Sequence, residues 1–132
     1  MIDELHQLDG VPVLVCAAEG SPLCDDRDAV DLIGQARFGH RADWVAVPVD
    51  RLTPEFFRLR TGVAGAIVQK FVDYRTGLAV MGDVTAHLAA SGAFQDWVRE
   101  TNRGRHIWFV ADLAELERRL TTTRGSGDTL PV

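Results

Sequence analysis

Apolar residues in this chain fall into short runs that alternate with helix-spaced stretches. Val11 to Ala17 follows Asp9-Gly10 and reads as a strand, with the preceding residues available as a hairpin partner. After Glu19-Gly20-Ser21-Pro22, Asp25 or Asp26 is placed to cap a helix. On that helix Ala29, Leu32, Ile33 and Ala36 share one side, and Gly39 marks its stop. Trp44 to Val49 is apolar on both alternating faces, the pattern of an interior strand covered from both sides. Thr53-Pro54 predicts a helical start with the threonine hydroxyl as its cap, and Thr61-Gly62 the start of a longer helix. Gly77 to Met81 and His106 to Val110 read as further strands. Between them Asp83 caps a short helix through Leu88, and a second helix runs from about Ala93 to Asn102. Asp112 and Glu115 have capping-box spacing and open a last helix through Leu120. This order predicts one α/β domain over residues 1–120, with helices packed on a mostly parallel central sheet of four to five strands. The polar, glycine-rich tail, residues 121–132, is expected to be disordered.

The stretch from Gly62 to Tyr74 is the most informative. At 100° per residue, Val63, Ala64, Ile67, Val68, Phe71, Val72 and Tyr74 cover one broad side, expected to pack on the sheet. The other side carries Gly62, Gly65, Ala66, Gln69 and Asp73, with Lys70 at its edge. A solvated helix face usually shows Glu, Lys and Gln instead. A mid-helix glycine costs about 0.5–1 kcal/mol relative to alanine, so something should compensate for Gly65. Either another molecule approaches this smooth stripe, or the turn over Thr53–Leu59 packs on it locally.

The run Phe56-Phe57-x-Leu59-x-Thr61-Gly62-x-Ala64-Gly65-x-Ile67-x-Gln69-Lys70-Phe71 resembles the bacterial family DUF4180. So does Asn102-Arg103-Gly104, followed by the aromatic strand that holds Trp108 and Phe109. The resemblance spans roughly Val13 to Leu120 and implies a bacterial origin, with no particular activity attached. A weaker likeness is to the STAS fold of anti-sigma-factor antagonists, in which a serine at a helix start is phosphorylated to switch partner binding. Thr61-Gly62-Val63 holds the comparable place here, although threonine replaces serine and Arg51 to Leu59 is longer than the usual connection. That likeness implies a STAS-like architecture and makes Thr61 a phosphorylation candidate; a phosphate at a helix N-terminus is favoured by the dipole. The plainer role for Thr61 is an N-cap.

Composition narrows the function further. The chain has 132 residues, 46% of them hydrophobic and 25% charged, an ordinary globular balance. Its net charge of −5 argues against a nucleic-acid partner, whose affinity rests on neutralising phosphates. Met1 to Gly10 carries three acids and no apolar core of a leader, and no apolar run approaches membrane-spanning length. A cytoplasmic location with no membrane partner is therefore expected. Cys16 and Cys24 lack a paired spacing, and His6, His40 and His87 lack ligand spacing, so neither metal nor cofactor is expected.

Polar residues should gather at both ends of a parallel sheet. Glu19, Ser21, Asp50, Arg51, Thr61, Asp83 and Asp112 belong at the edge where ligands commonly bind, and helix caps account for most of these acids. At the opposite edge Lys70, Asn102, Arg103 and His106 offer varied hydrogen-bonding groups. Two functions follow. The first is a non-enzymatic interaction or regulatory module, self-associating as a homodimer through Gly62, Gly65, Ala66, Gln69 and Asp73. The second is a small enzyme or anionic-ligand-binding domain using Gln69, Lys70, Asn102 and Arg103, with His106 beside them.

Overall fold

The computed structural model describes residues 3–128. Its centre is a five-stranded sheet in the order β1-β2-β3-β4-β5: Glu4–Leu8, Val11–Val15, Trp44–Pro48, Gly77–Met81 and Ile107–Val110. β1 runs antiparallel to β2, and every later pairing is parallel. The first connection is the Asp9-Gly10 turn, where both residues have positive φ (51° and 80°). That is the geometry a two-residue hairpin demands, and it explains the aspartate–glycine pair.

Between the strands lie α1 (Asp26–Gly34), α2 (Val63–Asp73), α3 (Thr85–Ala90) and α4 (Gly92–Arg103), and α5 (Leu113–Asp128) follows β5. Because the parallel strands follow one another in sequence order, right-handed crossovers bring all the intervening helices to one face. The core divides accordingly. Leu14, Val45, Val47, Leu78, Val80 and Phe109 point toward α1, α2 and α4, which supply Leu32, Ile33, Ile67, Phe71, Phe94 and Val98. On the far face Val13, Trp44, Ala46, Ala79, Trp108 and Val110 meet Leu116 and Leu120 of α5. Trp44 and Trp108 stack there, with ring centroids 4.4 Å apart. Gly77 makes room for them, since a Cβ at that position would lie 2.2 Å from the Trp44 ring.

Caps fall largely where the sequence placed them. Asp25 Oδ1 accepts from Asp28 N at 3.0 Å and Asp112 Oδ1 from Glu115 N at 2.9 Å, whereas Asp83 stands one residue ahead of the α3 N-cap, Val84, and accepts from Thr85 N at 2.9 Å. Three boundaries differ. The Thr53 hydroxyl caps nothing: Pro54–Phe57 forms only a 3-10 turn, and Thr53 Oγ1 is buried without a hydrogen-bond partner. His106 lies outside β5 and is exposed, because the strand begins at Ile107. The last helix passes Leu120 and runs to Asp128, so part of the tail expected to be disordered lies on α5, and 129–132 lie outside the described residues.

Candidate functional site

Gly62 is the N-cap of α2, and its φ of 79° is the left-handed conformation that glycine adopts without penalty. From there Ala64, Ile67 and Phe71 point into the core at spacings of three and four. The opposite stripe is open. Gly62, Gly65, Gln69 and Asp73 are exposed and Ala66 is half-buried. A Cβ built on Gly65 would meet nothing within 4 Å, so local packing by the turn over Thr53–Leu59 does not account for that glycine. Gln69 Nε2 donates to Asp73 Oδ1 at 2.8 Å, one turn along the same stripe.

Two apolar residues expected on the buried side lie outside it. Val72 is 43% exposed and Tyr74 50%. Tyr74 is the C-cap of α2, beyond its last buried turn, and Val63 and Val68 are the apolar residues that flank Ala64, Ile67 and Phe71 against the core. Val72 stands two turns from Gly65 and continues its stripe.

Next to the end of α2, α1 passes into a π-helical turn, Gln35–Gly39. Its wider winding keeps Ala36 buried and turns Phe38 outward, to 90% exposure. Phe38 and Tyr74, with Val30, Ile33, Gly34 and Arg37, line a groove of about 350 Å³ between the two helix ends. Arg37 also lies 3.8 Å from Asp43. The outer side of α1 and α2 therefore presents two large exposed aromatics beside a helix stripe with little side-chain bulk.

A family model described as a domain of unknown function, DUF4180, matches residues 8–120, a span that contains both runs quoted for the resemblance. The chain belongs to the DUF4180 family. No curated protein and no solved structure matches it.

In this DUF4180 chain the Asn102-Arg103-Gly104 run is a structural junction. β5 is an edge strand, and Asn102 Oδ1 accepts from Phe109 N on its unpaired side at 2.7 Å. Asn102 O accepts from the Arg119 guanidinium at 2.6 Å, and Gly104 O from Trp108 Nε1 at 2.8 Å. Arg119 lies 4.4 Å from the Trp108 ring centroid, and partial burial lowers its pKa. Arg103 is exposed and pairs with Glu100 at 3.8 Å. Lys70 is half-buried and His106 exposed, and no hydrogen bond or ion pair joins either of them to Asn102 or Arg103. The structure thus gives Asn102 a hydrogen-bonding role inside the fold.

At the other edge, the Thr61 hydroxyl donates toward Glu55 O (2.7 Å) and Arg58 O (2.8 Å) and accepts from Val63 N (3.3 Å). It stitches the 3-10 turns to α2, while Gly62 holds the N-cap position itself. Arg51 is similarly engaged: its guanidinium donates to Ser21 O and Ala17 O and lies 3.5 Å from Asp3 Oδ1. Cys16, beneath this cluster, has its thiol pushed up to about 12 by burial and by the Asp3 carboxylate.

Sequence reasoning missed a third feature. A cavity of about 560 Å³ opens between the 3-10 turns after β3 and the α3–α4 junction, lined by Arg58, Arg60 and His87 among others. Its walls come from segments some thirty positions apart, so no local spacing announces it. Among the described residues no group of three His, Cys, Asp or Glu is placed to hold a metal, and no helix is long and apolar enough to cross a membrane.

Proposed function

We propose that this DUF4180 chain is a non-enzymatic interaction or regulatory module that self-associates as a homodimer. The contact is the outer side of α2 from Gly62 to Asp73, together with Phe38 and Tyr74. The observation that carries this reading is Gly65. Its backbone is ordinary helix and among the described residues nothing lies within 4 Å of where its Cβ would stand, so neither conformation nor internal packing calls for glycine there. Small residues let two helix backbones come close. An isologous dimer would lay Gly65 and Ala66 of one protomer against the same stripe of its partner. Asp73 Oδ1 accepts from Gln69 Nε2, so one carboxylate oxygen keeps a hydrogen-bond partner within the stripe in such a contact. Burying Phe38 would contribute about 1.5–3 kcal/mol per protomer.

The test is sedimentation velocity at micromolar concentration. The native chain should run as a dimer, and Gly65→Arg and Phe38→Glu should each run as a monomer. Both positions are open, so the far-UV circular dichroism of each variant should match the native spectrum. A native chain that sediments as a monomer would overturn the proposal.

A further inference from the structure

We propose that the cavity between the turns after β3 and the α3–α4 junction binds a small planar molecule carrying a phosphate or carboxylate group. The cavity lies where the chain leaves parallel strands β3 and β4, an edge that in such sheets commonly holds ligands. Its volume of about 560 Å³ suits a small organic molecule. One wall is flat and aromatic: the His87 ring stacks on Phe57 with centroids 3.7 Å apart and planes within 5°. Such a wall favours a planar body lying against it.

The remaining lining favours negative charge. Arg58 and Arg60 flank Leu59 along the chain, and among the described residues neither guanidinium has a hydrogen-bond or ion-pair partner. No carboxylate lines the cavity. Facing the arginines is the start of α4, where Ser91 Oγ accepts from Phe94 N at 3.1 Å and keeps its own hydrogen to donate. Gly92 and Ala93 open that twelve-residue helix, and their N–H groups have no acceptor within it. This concentration of donors stands out in a chain of net charge −5. Arginine suits a planar carboxylate or a phosphate because its donors fork to two oxygens. The site shares no residue with the outer face of α1 and α2, so it stands or falls independently of self-association.

Calorimetric titration with phenyl phosphate, benzoate, inorganic phosphate and phenol tests the assignment. Phenyl phosphate or benzoate should bind saturably, and whichever of them binds identifies the anionic group. Inorganic phosphate and phenol should each bind at least about tenfold more weakly than that ligand, since each keeps only half of the recognition. The double variant Arg58→Gln/Arg60→Gln should weaken binding by about tenfold or more. Ala93→Glu, which sets a carboxylate at an exposed position on the rim, should do the same. No saturable binding by either aromatic anion would overturn the proposal. So would affinity unchanged in both variants, or inorganic phosphate binding as tightly as phenyl phosphate.

Discussion

At the junction of α4, β5 and α5 the polar groups turn inward: Asn102 serves Phe109 N and Arg119, and Gly104 serves Trp108. On the outer side of α2 the reverse holds. Among the described residues nothing lies within 4 Å of where a Gly65 Cβ would stand, and the Gln69 side chain donates to Asp73 one turn away. Both segments belong to the runs that resemble DUF4180, yet the fold accounts for one and leaves the other over. A family pattern therefore mixes residues that hold the domain together with residues the domain does not need for itself, and only the second kind points outward to function.

That contrast can be broken at several places. The largest effect is expected at the junction, where Trp108→Ala removes a ring stacked on Trp44, a bond to Gly104 and the support under Arg119. It should cost about 3–5 kcal/mol, read as a fall in the urea midpoint. Asn102→Ala leaves the Phe109 N–H without its acceptor and should cost about 1–3 kcal/mol by the same measurement. An unchanged midpoint would remove Asn102 from the structural side of the contrast. Gly65→Ala should act in the opposite sense, raising the stability of the chain by about 0.5–1 kcal/mol in dilute solution.

The smallest effect near neutral pH belongs to Cys16. Its folded pKa of about 12 lies above the unfolded value near 9.0, so the native state keeps a proton that the unfolded chain loses. The stability it contributes is whole below pH 9 and declines from there toward pH 12. Between pH 8 and pH 10.5 the native chain should lose more stability than Cys16→Ala. Iodoacetamide should label exposed Cys24 in the folded protein and reach Cys16 only on unfolding.

The alternation of strands and helices was readable because it is local. Trp44–Val47 is apolar at every position, as expected of the central strand, and Ala29, Leu32, Ile33 and Ala36 recur at helical spacing. The antiparallel partner of β2 was signalled by Asp9-Gly10. The outward turn of Phe38 was not readable, because it depends on a change of helical winding that no residue in Gln35–Gly39 announces. Reading Val72 and Tyr74 as inward follows their apolar character alone: seven residues set Val72 almost directly over Gly65, and Tyr74 stands at the C-cap, where α2 has already ended. Asn102 reads from the sequence as a ligand-binding candidate, but its partner Phe109 lies in another element, and spacing alone does not separate a hydrogen bond inside the fold from a ligand contact. The grouping of Arg58, Arg60 and His87 is illegible for the same reason, since only the fold brings them to one cavity.

One side of the sheet receives its helices in step with its strands, whereas the other depends on α5, which follows the final strand. On the ribosome, Trp44 and Ala46 emerge long before Leu116 and Leu120 can shield them. A nascent chain of this topology carries a greasy, half-finished slab until α5 emerges, and that helix acts as the latch that ends the exposure.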